Sequence, residues 1–101
     1  MYILLACGSG ASSGFLAQRM RKAAKKKGID VTVKAVSDTQ IDDMVKDIDI
    51  LLLGPHLKHR LTEIKARVAP YGVKATLVNQ DSYSILDGEA VLNEVLELEN
   101  N

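Results

Sequence analysis

The residue best suited to chemistry in this chain is Cys7, the single cysteine among 101 residues. It stands where an apolar stretch, residues 2–6, meets a run of small residues, 8–14, that is rich in glycine and serine. A helical pattern begins directly after that run. Backbone N–H groups in such a loop and in the first helical turn lack internal partners, and the helix dipole adds partial positive charge. The arrangement predicts an anion-binding loop with a thiol at its mouth, whose thiolate form is favoured.

The composition of this loop favours a phosphoryl group as the anion. Its glycines permit close approach of the backbone to an anion, and its serines offer hydroxyl donors or a plain helix cap. The glycines are Gly8, Gly10 and Gly14, and the serines are Ser9, Ser12 and Ser13. A purely structural cysteine needs no such loop. We therefore interpret Cys7 as a nucleophile that accepts a phosphoryl group and passes it on.

The elements that must position this loop alternate between strand and helix. Apolar spacing predicts strands over residues 2–6, 30–36, 50–53 and 75–79, and helices over 13–27, 59–68 and 89–98, with a short helix near residues 39–45. Gly28 is predicted to end the first helix. The second strand alternates apolar and polar residues, as an edge strand does, whereas the third is continuously apolar. The order βαβαβαβα with right-handed crossovers predicts a four-stranded parallel sheet covered by helices on both faces.

In such folds the functional site lies beyond the carboxyl ends of the strands. Three loops are predicted to meet there, residues 7–14, 54–59 and 79–87. Two of them contain candidate accessory residues, His56 and Tyr83, each of which would otherwise be an ordinary loop residue. Asp81 and Asp87 in the last loop are interpreted as turn or cap residues rather than catalytic acids.

Length and composition limit the classes of protein to be considered. The chain is 47% hydrophobic and is expected to fold as one domain over residues 1–101. A lone cysteine suits a reducing compartment, and no apolar run approaches the roughly 20 residues that span a bilayer. Two histidines and one cysteine form no spaced metal-ligand set. With zero formal net charge, three Tyr, one Phe and no Trp, nucleic-acid binding is not expected.

The charge is balanced overall but unevenly distributed. The first predicted helix contains a basic cluster, and acidic residues collect near the carboxyl terminus. The basic residues are Arg19, Arg21, Lys22, Lys25, Lys26 and Lys27. Such a cluster indicates either a solvated helix face or a docking surface for a negatively charged partner.

Three other functions fit the same pattern less well. A cysteine phosphatase with a short phosphate-binding loop needs an arginine to clamp the phosphoryl oxygens, and the corresponding position holds Ser13. A receiver-type signalling domain needs acidic residues where Cys7 and Gly54 stand. A non-catalytic binding module would keep the fold and leave Cys7 an ordinary thiol. The phosphatase remains the alternative enzymatic interpretation.

Four segments together resemble the enzyme IIB subunit of the bacterial phosphoenolpyruvate-dependent sugar phosphotransferase system, in its lactose/cellobiose class. The opening motif of that family, Cys-x-x-Gly-x-Ser-(Ser/Thr) after an apolar strand, matches residues 7–13. The other similar segments are residues 22–31, 52–56 and 83–88, so that the resemblance covers essentially the whole chain. Ala11 and Gly14 depart from the family, whose members often have Met and Ser at these positions.

The resemblance implies a three-layer α/β fold of the flavodoxin-like or low-molecular-weight-phosphatase-like kind, with strand order 2-1-3-4. It implies that Cys7 accepts a phosphoryl group from a phosphohistidine of enzyme IIA and passes it to a sugar held by the membrane-embedded enzyme IIC. The residues implied to bind the phosphoryl group are Gly8, Ser9, Gly10, Ala11, Ser12 and Ser13. No cofactor and no metal are implied. The protein is expected to be a monomer, cytoplasmic, and recruited to the inner face of the membrane through enzyme IIC.

Overall fold

The computed structural model describes residues 1–7 and 11–100, with the backbone alone described at residues 11–13 and 100. Within this part of the chain, four parallel strands form one sheet in the order β2-β1-β3-β4. The strands are β1 (Tyr2–Cys7), β2 (Thr32–Ser37), β3 (Ile50–Leu53) and β4 (Lys74–Leu77). The helices are α1 (Ala11–Lys27), α2 (Ile41–Met44), α3 (Leu61–Val68), α4 (Gln80–Ser84) and α5 (Gly88–Asn100). The predicted strand order is confirmed.

The two central strands are apolar on both sides because each face of the sheet is covered. Alternate residues of a strand point to opposite faces. One face packs against α1 and α5 through Ile3, Leu5, Ile50 and Leu52. The other packs against α2 and α3 through Leu4, Ala6, Leu51 and Leu53. The parallel register pairs Ile3 with Ile50 and Ala6 with Leu53. The two cores confirm the predicted three-layer arrangement.

The second strand lies at an edge of the sheet, as its alternating pattern predicted. Val33 and Val36 are buried, whereas Thr32 and Lys34 are exposed. The Arg21 Nε donates a hydrogen bond of 2.8 Å to the Val33 carbonyl and so ties α1 to this strand.

The first helix ends at Gly28, as predicted. The Ile29 N–H donates to the Ala24 carbonyl at 2.9 Å, and the Gly28 N–H donates to the Lys25 carbonyl at 3.2 Å. This pair of hydrogen bonds requires a left-handed residue after the helix, and Gly28 has φ of 71°. Glycine adopts that conformation without the steric cost of a Cβ atom.

The segment predicted as a loop over residues 79–87 contains a helix, and that part of the prediction was wrong. The Asn79 Oδ1 accepts hydrogen bonds from the backbone N–H groups of Asp81 (2.9 Å) and Ser82 (3.1 Å), which starts α4. Asp87 then caps α5, because its Oδ1 accepts from the Ala90 N–H at 3.0 Å. The cap role predicted for Asp87 is confirmed.

Several predicted boundaries shift by one or two residues in the structure, and two of them lie next to the predicted loops 54–59 and 79–87. Residues Pro55–Arg60 form a 3-10 helix, so that α3 begins at Leu61 rather than at His59. The fourth strand covers Lys74–Leu77 rather than residues 75–79, because Asn79 caps α4 instead of continuing the strand. Across the described residues, no helix combines the length and the apolar character needed to cross a membrane.

Candidate functional site

Cys7 is the last residue of β1 and lies at the carboxyl edge of the sheet. It pairs with Ser37 of β2 in the parallel register. Its exposed fraction is 0%, so the thiol is buried rather than open to solvent at the mouth of the loop. The first helical residue, Ala11, follows only four positions later. The chain therefore places a cysteine between the end of a central strand and the start of a long helix.

The predicted phosphate-binding residues fall only partly within the structure. Gly8, Ser9 and Gly10 lie outside the described residues. Ala11, Ser12 and Ser13 form the first turn of α1, and their side chains are likewise outside the description. No acidic residue belongs to that first turn, so no carboxylate within it offsets the partial positive charge of the helix end.

Gly54 is the residue that brings the end of β3 against Cys7. Its N–H donates a hydrogen bond of 2.9 Å to the Ala6 carbonyl. A Cβ atom on Gly54 would lie 3.3 Å from the Cys7 Cβ and 2.7 Å from the His56 Cε1. The imidazole of His56 and the side chain of Cys7 therefore border the same small space, which the lack of a side chain at Gly54 leaves open.

His56 also borders a second segment that the sequence assigned to the site. It lines a surface depression of about 270 Å³ together with Tyr83, and the other lining residues are Pro55, Gln80 and Ser84. Tyr83 is half-buried and packs against the core between the sheet and helices α1 and α5. The structure thus brings the two candidate accessory residues to one depression, and of the two the His56 ring borders the space next to Cys7. His59 is exposed and does not line this depression.

Two features of this edge were missed at the level of sequence. The first is that α4 contributes polar residues to the depression beside His56. Within α4 the Ser84 Oγ donates a hydrogen bond of 2.8 Å to the Gln80 carbonyl. The sequence signal for it was Asn79, a preferred helix-capping residue. The second is an ion pair of 2.6 Å between Arg60 Nη1 and Asp38 Oδ2, which ties the segment after β3 to the segment after β2. Nothing in the spacing of these two residues signals their contact.

Glu94 is a carboxyl group with a raised pKa. It lies near β4, whereas Cys7 and β1 lie on the other side of β3. Partial burial raises the pKa of Glu94 above its ordinary value of 4.5, and the nearby charge of Glu97 raises it further. The backbone N–H of Asn79 donates to this carboxylate and opposes the rise. The three residues line a depression of about 380 Å³ between β4 and α5.

Over the described ranges, no three His, Cys, Asp or Glu side chains cluster in a way that would hold a metal ion. The groups available for chemistry at the carboxyl edge of the sheet are the Cys7 thiol, the first turn of α1 and the His56 imidazole.

These features define a small α/β protein with a cysteine at the end of its central strand. The family model described as the lactose/cellobiose-specific IIB subunit of the phosphotransferase system matches residues 2–94. The galactose-specific EIIB component of Lactococcus lactis subsp. cremoris (strain MG1363) is 33% identical over 95 residues, which cover 89% of this chain and 88% of that relative. The chain belongs to the lactose/cellobiose-specific IIB family and is a phosphotransferase component of sugar transport, which confirms the resemblance.

Solved structures agree with this assignment. The cellobiose-specific IIB component of Borrelia burgdorferi is 34% identical with a TM-score of 0.80, covering 100% of this chain and 93% of that one. The lactose-specific IIB domain of Streptococcus pneumoniae has a TM-score of 0.87 at 20% identity, and the match covers 96% of this chain and 95% of that one. The YwlE arginine phosphatase has a TM-score of 0.65 at 12% identity, covering 100% and 97%, and shows likeness of fold alone.

Some relatives carry the matching region within a longer chain. The lactose-specific EIICB component of Staphylococcus epidermidis is 31% identical over 98% of this chain, which covers 17% of that relative.

Proposed function

We propose that Cys7 is the nucleophile that carries a phosphoryl group from a protein donor to a sugar. The observation that carries the proposal is the place of Cys7 at the end of the central strand, four residues before α1, in a chain of the IIB family. A thiolate at this place has the positive end of a helix beside it, and the same end can hold the oxygens of a phosphoryl group.

In the donor step, the Cys7 thiolate attacks the phosphorus of a phosphohistidine on enzyme IIA. An S–P bond forms and the N–P bond breaks, and the imidazole leaves and takes up a proton. Backbone N–H groups of residues 8–13 and the Ser12 hydroxyl bind the phosphoryl oxygens. Catalysis of this step consists mostly of positioning and of stabilising the charge of the transferred group.

In the acceptor step, a sugar hydroxyl held by enzyme IIC attacks the phosphorus. An O–P bond forms, the S–P bond breaks, the hydroxyl proton goes to a base or to water, and the thiolate is restored. The relatives in which the matching region belongs to an EIICB chain support this partner. The description of the family and the names of the relatives, which are cellobiose-, lactose- or galactose-specific, favour a sugar of the lactose or cellobiose type. The protein then acts as a monomer at the cytoplasmic face of the membrane.

The residues that follow Cys7 suit a carrier rather than a hydrolase. A phosphocysteine must survive until the acceptor arrives, and water at the phosphorus would destroy it. The position that holds an arginine in cysteine phosphatases holds Ser13 here, which favours the relay over the phosphatase alternative.

His56 and Tyr83 are proposed as accessory residues of the same site. The His56 ring borders the space next to the Cys7 Cβ, and both residues line one depression. From there they are placed to contact the transferred phosphoryl group or the imidazole that donates it.

The proposal is tested by intact-protein mass after incubation with phosphoenolpyruvate, the general phosphotransferase proteins and a lactose/cellobiose-type enzyme IIA. The wild-type protein should gain one phosphoryl group, and Cys7→Ala should gain none. Alanine is a sharper control than serine, because a serine hydroxyl can itself accept a phosphoryl group.

Two outcomes would contradict the relay. The first is a wild-type protein that stays unmodified although the enzyme IIA is shown to be phosphorylated. The second is equal modification of Cys7→Ala. Hydrolysis of an aryl phosphate without any partner protein would instead support the phosphatase alternative.

A further inference from the structure

Two large apolar side chains are exposed on the side of the molecule where α1 begins. Phe15 is 61% exposed in the second turn of α1, and Ile85 is 68% exposed between α4 and α5. Met1 and Tyr71, the other large apolar residues exposed among the described ones, precede β1 and β4 and so lie at the opposite edge of the sheet. Single exposed apolar residues are common, but two on one side of the molecule that are linked by a shared neighbour form a candidate contact surface.

Arg19 connects the two apolar residues into one surface. It follows Phe15 by four positions, so both lie on the same face of α1. Its Nη1 donates a hydrogen bond of 3.4 Å to the carbonyl of Leu86, the neighbour of Ile85. The Arg19 and Ile85 side chains also line one groove of about 360 Å³. We call Phe15, Arg19 and Ile85, with the groove between α1 and residues 85–89, the docking surface.

The groove has a basic rim. Lys22 and Lys26 line it beside Arg19. The acidic groups along it are Asp87, whose carboxylate caps α5, and Glu89, which faces Lys27 at 4.0 Å. Arg21 belongs to the same basic cluster but not to this rim, because its Nε donates a hydrogen bond to the Val33 carbonyl on the other side of α1. Three cations therefore face two carboxylates that are already engaged, and the rim attracts negative charge.

We propose that the docking surface binds enzyme IIA, through an apolar contact ringed by acidic side chains on that partner. This inference rests on the proposed function. The choice of enzyme IIA over enzyme IIC follows from charge: the donor brings a phosphoryl dianion on its histidine, whereas the acceptor presents a neutral sugar hydroxyl. A basic rim accelerates association with an acidic partner through electrostatic steering. Phe15 lies only one helical turn beyond Ala11, so a partner seated there reaches the loop that follows Cys7.

The test compares two phosphoryl donors on the same variants. The second-order rate constant of transfer from phosphorylated enzyme IIA to Cys7 is measured for Phe15→Ser, Ile85→Ser and the double variant Lys22→Glu/Lys26→Glu. Each is expected to fall about tenfold or more, as loss of a central interface contact does. Phosphoramidate, a small N–P donor that needs no docking, should phosphorylate all variants at the wild-type rate.

Matched controls lie away from the docking surface. Tyr71→Ser removes another exposed aromatic side chain, and Lys65→Glu reverses an exposed charge on α3. Both variants should transfer at the wild-type rate. Raising the salt from low values to about 0.15 M should slow the wild-type protein and not the double lysine variant.

Unchanged transfer from enzyme IIA in the apolar variants would overturn the inference. This includes the case in which only the later transfer to enzyme IIC slows, which would assign the surface to that partner. Equal losses with phosphoramidate would also overturn it, because they would place the effect at Cys7 itself. A wild-type protein that neither donor phosphorylates would contradict the proposed function instead.

Discussion

The imidazole of His56 lies where a side chain of Gly54 would be. A Cβ atom at position 54 would stand 3.0 Å from the His56 Nδ1 and 2.7 Å from its Cε1, and the second distance is closer than Cβ atoms approach other atoms in folded proteins. The same atom would lie 3.3 Å from the Cys7 Cβ. The absence of a side chain at the end of β3 therefore allows an imidazole to lie close to the cysteine.

Gly54→Ala should impair phosphoryl transfer more than stability. The backbone at Gly54 has φ of −60° and ψ of 150°, which alanine adopts readily. The substitution therefore tests only the effect of filling the space between Cys7 and His56. The exposed His56 ring can rotate away, and we expect a loss of at most about 1 kcal/mol in unfolding free energy. Transfer to Cys7 should slow by about tenfold or more, since small misplacements near a reacting atom are costly. Urea denaturation and rapid-quench phosphorylation measure the two effects.

The double variant Gly54→Ala/His56→Ala separates the causes. Removal of the ring relieves the closest contact and leaves only the 3.3 Å approach to Cys7. If His56→Ala alone transfers at the wild-type rate and the double variant is as slow as Gly54→Ala, the displaced imidazole is not the reason. A Gly54→Ala protein with wild-type transfer would show that the crowded space is irrelevant to the chemistry.

Local sequence signals were enough to predict the framework of this site. The run of apolar residues before Cys7 and the small residues after it predict a strand, a turn and a helix, and the structure confirms the strand and the helix. Gly28 and Asp87 were predictable because their roles depend on neighbours within five positions.

Other contacts of the site depend on residues far apart in the chain. The approach of His56 to Cys7 needs the register of β1 against β3, and the Arg60–Asp38 ion pair spans 22 positions. No periodicity encodes either contact. The helix α4 was missed for a different reason: its five residues are too few for a helical period, and only the capping residue Asn79 signals it.

Gly88→Ala should destabilise the protein strongly, because here the close neighbour is backbone. A Cβ atom on Gly88 would lie 2.5 Å from both the Arg19 carbonyl carbon and the Met20 nitrogen. The start of α5 would have to move away from α1, and we expect a loss of about 1–3 kcal/mol in unfolding free energy.

Gly14→Ala is the matched control for that variant. No described atom lies within 4 Å of the added methyl group, and Gly14 is in a helix. Alanine there should raise the unfolding free energy by up to about 1 kcal/mol. Urea denaturation of both variants provides the comparison. Equal stability of the two alanine variants would disprove the close packing of α5 on α1.

Leu86 should tolerate glycine better than alanine. It has φ of 54°, a left-handed conformation that costs a residue with a Cβ atom about 1–2 kcal/mol. It follows α4 where glycine usually stands, since the Asp87 N–H donates to the Ser82 carbonyl at 2.8 Å and the Leu86 N–H to the Tyr83 carbonyl at 3.1 Å. Its half-buried side chain packs against the core beside α1 and α5.

Both variants lose that packing, but only Leu86→Gly relieves the backbone strain. We expect Leu86→Ala to be less stable than Leu86→Gly by about 1 kcal/mol, with the wild-type protein more stable than either. Thermal and urea unfolding of the three proteins under one set of conditions give the order. The reverse order of the alanine and glycine variants would refute the left-handed backbone at this position.

Glu94→Gln should stabilise the protein near neutral pH and not in acid. Partial burial, with the charge of Glu97, raises the pKa of Glu94 in the folded protein above its ordinary value of 4.5. Between the two pKa values the folded protein holds more protons than the unfolded chain, so this carboxyl group lowers stability as the pH rises through that window.

Glutamine removes the ionisation and can still accept the hydrogen bond from the Asn79 N–H. The urea midpoint of Glu94→Gln should therefore exceed that of the wild-type protein at about pH 7, and the difference should shrink toward about pH 4. Glu99→Gln, which removes the same charge from a position of α5 that does not line the depression around Glu94, is the control for net charge. If the two glutamine variants show the same pH dependence, the burial of Glu94 has no energetic effect and the prediction is wrong.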